Sequence, residues 1–303
     1  MPEVNSRYMS NIDHIIEERA ARIGPFIVGR LLPFKEKRSI GPFVFIDHMG
    51  PVSMDDDTNL DIGPHPHIGL STLTYLFEGA IMHRDSLGTR QEIKPGAVNW
   101  MTAGKGVVHS ERTPDYLRNQ NKFLHGLQIW VALPKNMEHT DPSFHHIPAK
   151  DLPQWEEDGV HYKLIAGEID NKISPVPVHT NLYMIEIKAH EKATINIGHQ
   201  LYGESGLYIM KGQVNAENET YGERQILMTY RGDLCTFDIE KDTIVYIFGG
   251  EPFPEKRHMY WNFVSSDKAV IEKAVKDWQD KKMPTIPDDD DYVPLPKHNL
   301  KVK

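Results

Sequence analysis

The chain has 303 residues, 39% of them hydrophobic and 25% charged, with a formal net charge of −9 at pH 7. That length can bury two cores, and the acidic balance excludes the phosphate backbone of nucleic acid as the main partner, because such affinity comes from clustered Lys and Arg. No stretch is long and apolar enough to cross a bilayer as a helix, and the single cysteine, Cys235, excludes an internal disulfide and suits a reducing interior.

Along the chain, Met1 to Arg7 lacks the basic-then-apolar pattern of a secretory signal, so the expected location is the cytoplasm, with the nucleus open to a eukaryotic chain. Asn11 to Ala21 reads as a helical or irregular lead-in, with Ile12, Ile15 and Ile16 on one side. Strands follow from about Phe26, and the basic residues Arg30, Lys35, Lys37 and Arg38 read as a solvated loop face. Two histidines come next, His65 and His67, in Gly63-Pro64-His65-Pro66-His67. Strand-forming runs Leu73 to Phe77 and Ala97 to Met101 separate them from His109 and Glu111. In the run His125 to Val131, Gln128 alternates with His125 and Leu127, so one of these sets faces inward. Pro134 to Pro153 looks like a linker, and its pair His145-His146 points to opposite sides of an extended chain and makes a poor chelate.

A second β-rich unit begins near His161, with strands at Tyr183 to Ile187, Leu207 to Met210, Ile226 to Met228 and Thr243 to Phe248. Cys235, in an apolar run, reads as a packed strand residue. A weak internal repeat pairs Tyr75-Leu76-Phe77-Glu78-Gly79 with Tyr208-Ile209-Met210-Lys211-Gly212, and Gly96 to Val98 with Gly232 to Leu234. Its register puts Val245 and Ile247 near the places of His109 and Glu111, and only His199 precedes Leu207, so the second copy is expected to keep the fold without the metal. Ser266-Asp267 can cap a helix from Lys268 to about Lys282, with Val270, Ile271, Ala274, Val275 and Trp278 as its apolar stripe. The acidic run Asp288 to Asp291 has the composition of a disordered tail, yet Tyr292, Val293 and Leu295 could anchor it on a barrel.

The chemistry concentrates in His65, His67, His109 and Glu111. Residues i and i+2 of a strand share a face, so two neighbouring strands could present three imidazoles and a carboxylate to one point. That donor set suits one divalent first-row metal such as iron, nickel, copper, manganese or zinc, and leaves two positions open if the metal is octahedral. Either pair alone is a weak motif; the combination, each pair following Gly or Pro turns, is informative. His83 lies beyond the Glu78-Gly79 turn on the returning strand and, with Gln128, is a candidate for the substrate pocket; His48 and His125 read as structural.

The order of these words resembles the metal-binding half of a cupin barrel. Gly41 to Pro51, Pro64-His65-Pro66-His67, Trp100-Met101-Thr102-Ala103-Gly104 and His125 to Val131 with Leu133-Pro134 resemble the pirin family. The resemblance implies an all-β chain of two tandem cupin barrels with a C-terminal helix and tail: a metal-binding barrel at 1–134, a linker at 135–160, a degenerate barrel at 161–262 and a helix and arm at 263–303. It also implies one iron, as Fe(II), held by His65, His67, His109 and Glu111. Ser71 departs from the glutamate that many cupins carry after the first histidine pair and is expected to alter only the surroundings of the site.

The activity implied is a dioxygenase acting with O2 on quercetin-type flavonols or a similar small enol or catechol, in which Glu111 serves as ligand and general base for the flavonol hydroxyl. The rival from another class is a metal-dependent regulator whose iron state changes a surface read by a protein partner; a housekeeping cupin with incidental metal is a third. The chain is expected to act as a monomer, without membrane or direct nucleic-acid contact.

Overall fold

Short runs of β-branched and aromatic residues, broken by Gly, Pro and Asp at the turns, fold as antiparallel strands. The computed structural model describes residues 12–23, 26–230 and 236–296. Its strands are β1 (Ile12–Glu17), β2 (Arg19–Ile23), β3 (Phe26–Leu32), β4 (Phe43–Met54), β5 (Asp61–His67), β6 (Leu70–Glu78), β7 (Ile81–Asp85), β8 (Arg90–Ile93), β9 (Val98–Thr102), β10 (Val107–Arg112), β11 (Lys122–Ala132) and β12 (Ser143–Ile147). They continue as β13 (Gln154–Glu157), β14 (Val160–Ile169), β15 (Lys172–Ile173), β16 (Leu182–Ala189), β17 (Ala193–Ile195), β18 (Glu204–Lys211), β19 (Val214–Ala216), β20 (Glu219–Tyr221), β21 (Gln225–Tyr230), β22 (Phe237–Ile239), β23 (Thr243–Gly250), β24 (His258–Tyr260) and β25 (Phe263–Ser265), before the helix α1 (Lys268–Gln279).

Two barrels result, each a large sheet facing a small one. The first pairs β12-β9-β6-β11-β4-β3-β2 with β5-β10-β7-β8; the second pairs β1-β21-β18-β23-β16-β14-β13 with β17-β22-β19-β20. The strand orders correspond place by place, and each barrel borrows an edge: β1 comes from ahead of the first barrel yet pairs with β21 of the second. The segment read as a helical or irregular lead-in is therefore two strands. Period two wins because Ile16 points into the core while Ile15 stays exposed, an alternation that a helical stripe would not give. The stretch 135–160, read as a linker, carries β12, which pairs with β9, and β13, which pairs with β14.

The expected repeat register needs a correction. Topologically β23, which carries Val245 and Ile247, corresponds to β11, and the counterpart of β10 is β22, whose Phe237 and Ile239 are buried and apolar. His199 sits in an exposed turn after β17. Cys235 and the stretch 232–234 lie outside the described residues.

The large sheets pack back to back, burying Leu73, Tyr75, Leu127 and Ile129 of one barrel against Met184, Tyr208, Tyr246 and Phe248 of the other. Each such side chain contributes about 1.5–3 kcal/mol. Polar pins cross this apolar layer. Tyr75 and Tyr246 hydroxyls both donate to Glu186, whose other oxygen lies 2.8 Å from Lys188 Nζ. His48 bridges Tyr208 at 2.7 Å and His125 at 2.8 Å, which gives both histidines structural places. Two of the four basic residues are engaged: Arg30, on β3, makes a two-pronged pair with Asp47, and Lys37 meets Glu204 at 2.5 Å, while Lys35 stays exposed.

At the C-terminus Asp267 caps α1, accepting from Ala269 N at 2.8 Å, and Ile271, Ala274, Val275 and Trp278 pack on Ile68, Val108 and Phe263. The acidic tail is an ordered arm. Asp289 accepts from Ser110 Oγ at 2.7 Å and from Arg112 Nε at 2.9 Å, the Val293 amide donates to the Pro64 carbonyl, and Tyr292 stacks on Trp278. Burial opposes ionisation of Asp289, but hydrogen bonds from Arg112 and Ser110 outweigh it and hold the carboxyl below its usual range. Asp289→Ala should lower the stability of the folded chain by about 1–3 kcal/mol, because it strands the buried Ser110 hydroxyl and leaves the Arg112 guanidinium with Asp291 alone. Thermal unfolding and limited proteolysis of the arm would check this; an unchanged midpoint with an equally resistant arm would contradict it.

Candidate metal centre

One face of the small sheet β5-β10-β7-β8 carries the chemistry. In the antiparallel pairing, His109 stands opposite His65, and Val107 opposite His67, so the two histidines of β5 and His109 of β10 share the inward face. Across the other edge of β10, Glu111 stands opposite His83 and His109 opposite Asp85. A register shift between His109 and Glu111 on the β5 side accommodates Ile62 as the partner of Glu111.

His65, His67 and His109 are all buried, and their donor nitrogens lie within 4.8 Å of one another. Their hydrogen bonds leave at least one nitrogen of each ring for a ligand. His65 Nδ1 donates to the Gly63 carbonyl at 2.8 Å. His109 Nδ1 faces His83 Nδ1 at 3.3 Å, and His109 Nε2 is buried without a hydrogen-bond partner. The Asn262 backbone offers His67 a weak interaction, although its Nδ1 makes no hydrogen bond of good geometry. Orphaned buried nitrogens cost about 1–3 kcal/mol each, and three neutral imidazoles converging on one point fit a divalent first-row metal. Burial drives all three away from protonation: His65 is pushed down to about 4, and His67 and His109 lie well below the ordinary histidine value, each opposed further by its neighbours. The cluster is thus in the form that ligates across the neutral range.

Glu111 is buried on the same strand face, and its carboxylate does not belong to the group of atoms within 4.8 Å. Burial pushes its carboxyl up to about 7, against a hydrogen bond from Thr74. The Thr74 hydroxyl is also 3.0 Å from Gln128 Oε1, which places Gln128 on the Glu111 side of β11, while Leu127 lies in the layer between the barrels. Trp130, two residues beyond Gln128, meets the His67 ring edge to face at 5.1 Å and stacks on Phe45 at 4.0 Å. Ser71 points away from this face and shares a 3.1 Å hydrogen bond with Thr102.

His83 is buried too, with its ring stacked on Phe144 at 4.4 Å, and its Nε2 lies 3.0 Å from Asp85 Oδ2. Asp85 and Thr74 escaped the reading of the sequence. The period of two from His83 to Asp85 was the available signal for the first; nothing local marks Thr74, which reaches Glu111 only across the barrel. His145 and His146 stay apart from the cluster, on β12, with His146 Nδ1 2.7 Å from Asn99 Oδ1.

Two tandem cupin domains, the first with a buried three-histidine cluster, define the class of this protein. The family model for Pirin matches residues 26–131, and that for the Pirin C-terminal cupin domain matches residues 184–284. A pirin-like protein of Caulobacter vibrioides is 43% identical over 291 residues, covering 94% of this chain and all of the relative. The crystal structure of a quercetin 2,3-dioxygenase from Acinetobacter baumannii aligns with a TM-score of 0.87 at 34% identity, covering 96% of this chain and 97% of that one. A second quercetin 2,3-dioxygenase structure from the same organism gives 0.80 at 26% identity over 90% and 98%. The chain belongs to the pirin family.

His67→Ala should abolish tight divalent-metal binding and leave cooperative unfolding intact, since the barrel core supplies the stability; elemental analysis and thermal unfolding read the two halves. A loss of cooperative unfolding would instead make the metal structural. Glu111 also predicts a pH signature for metal-free protein. A carboxyl raised from 4.5 to about 7 contributes stability that is present below the lower value and lost as the pH rises through the upper one. Between these limits the wild type should lose up to about 3 kcal/mol relative to Glu111→Gln, since the histidines titrate in both and cancel. Parallel denaturation curves at every pH would refute it.

Proposed function

We propose that this protein is a metal-dependent dioxygenase acting on quercetin-type flavonols, with iron(II) held by His65, His67 and His109 and with Glu111 as the fourth ligand and general base. The observation that carries the reading is the buried cluster of three neutral histidines within 4.8 Å, in a chain 34% identical to a structure described as a quercetin 2,3-dioxygenase. A bound divalent metal would supply the positive charge that makes a flavonol hydroxyl more acidic.

The residues of this chain then divide the work. Glu111 takes the hydroxyl proton on its carboxylate, as a general base within reach of the metal-bound group. Thr74 lies between two acceptors, the Glu111 carboxyl and Gln128 Oε1, and its single hydroxyl proton can serve one of them at a time. Trp130 and Phe45 present a stacked apolar wall beside His67, suited to a flat aromatic substrate and to the exclusion of water. His83 is committed to Asp85 and His109, so its role lies behind the ligands and not against the substrate.

Glu111→Gln should retain part of its metal through the three histidines and lose about a hundredfold or more in flavonol turnover, because an amide cannot accept the proton. Oxygen uptake and loss of flavonol absorbance at matched iron content measure this. Near-normal turnover by the iron-loaded variant would remove Glu111 from the role of base, and no turnover by iron-loaded wild type with any flavonol would favour the regulatory reading.

A further inference from the structure

Behind His109 runs a chain of buried hydrogen bonds with a fixed direction. Asp85, fully buried, uses Oδ1 to accept the amides of Leu87 at 2.9 Å and Thr89 at 3.0 Å, and turns Oδ2 to His83 Nε2 at 3.0 Å. An ionised carboxylate has no proton to offer, so His83 carries its proton on Nε2. In the tautomer with its single proton on Nε2, His83 presents Nδ1 as a lone pair, 3.3 Å from His109 Nδ1. That contact is satisfied only when His109 carries its proton on Nδ1, which leaves Nε2, the buried nitrogen without a partner, as the donor atom. The stack of His83 on Phe144 keeps the ring plane in place, and the pairing of β7 with β10 sets Asp85 opposite His109.

We propose that Asp85 and His83 are positioning residues that fix the tautomer of His109, so that its Nε2 is the metal-binding atom before any metal arrives. The inference rests on the metal-site part of the functional reading and is independent of flavonol and of dioxygen. Ligand histidines in general have their second nitrogen tied to a carboxylate or carbonyl. Here a second histidine is interposed, which makes the pattern reversible: exchanging one atom at Asp85 reverses every proton in the chain.

Asp85→Asn is that exchange. The two backbone amides continue to require an acceptor at the Oδ1 position, so the amide oxygen stays there and its NH2 group occupies the place of Oδ2. Facing a donor, His83 Nε2 becomes the acceptor and its proton moves to Nδ1. His83 then donates to His109 Nδ1, and the proton of His109 sits on Nε2, the nitrogen the metal needs. The turn at 85–89 and the net number of protons on the imidazoles are unchanged.

The test is long-range proton–nitrogen NMR correlation of histidine side chains in metal-free protein, together with competition for zinc(II) against a chromogenic chelator. Wild type should show His83 protonated on Nε2 and His109 on Nδ1. Asp85→Asn should show both reversed and bind zinc(II) roughly 10–100-fold more weakly, with an unchanged backbone spectrum. His83→Phe, which keeps the stack on Phe144 but offers no nitrogen, should release the His109 tautomer and also weaken zinc(II). His109 protonated on Nε2 in wild type, or zinc(II) affinity within twofold of wild type in both variants, would overturn the proposal. If Asp85→Asn misfolds, His83→Phe and the wild-type tautomers decide alone. Should wild type bind no divalent metal, the dioxygenase reading fails with it, and the proposal fails too.

Discussion

The constraint on which the rest depends is that three imidazole rings must be held neutral, buried and converging inside the first barrel. The pairing of β5 with β10 makes this possible, because His65 and His109 are direct cross-strand partners and His67 follows on the same face. Such an arrangement is unfavourable for the metal-free protein, with nitrogens left without partners. It survives because the apolar layer between the two large sheets and the core of the second barrel stabilise the fold independently of the site.

The second barrel is the comparison that the molecule carries within itself. Its sheets have the same strand order, and its small sheet places Ile195, Phe237 and Ile239 on the strands that correspond to β5 and β10. There the interior closes with aliphatic and aromatic side chains in good contact, among them Val245 and Ile247. The same architecture therefore supports a packed apolar core in one copy and a buried cluster of histidines with a carboxyl in the other, and function belongs to the side chains placed on the strands, not to the fold.

Around the site, segments distant in sequence supply the supports. The arm after α1 reaches the outer face of β5 and β10, and Asp289 grips Ser110 and Arg112, the two residues that flank Glu111. The inward and outward faces of one short strand are thus both committed, one to ligands and one to the arm. Strand alternation lets His109 and Glu111 face the barrel interior while Ser110 and Arg112 face the arm. Phe144, from the stretch between the barrels, serves the site from another side by stacking on His83.

Much of this was legible in the residues themselves. His65-Pro66-His67 and His109-Ser110-Glu111 announced their shared face through the period of two, and the helix announced its cap and stripe at Asp267 and at Ile271 to Trp278, because these signals are local. Local signals misled where pairing was long-range: Ile12 to Glu17 became a strand because β21, two hundred residues later, offered an edge, and the repeat slipped because sequence similarity cannot register β22 against β10 as hydrogen bonding does. The identity of the donor residues and the strand period that gathers them were set by the sequence alone. Tertiary structure decided which nitrogen of each ring is free, why Glu111 holds its proton so tightly, and that Asp85, His83 and Thr74 belong to the site, since burial and hydrogen-bond direction arise only when strands far apart in the chain are packed together.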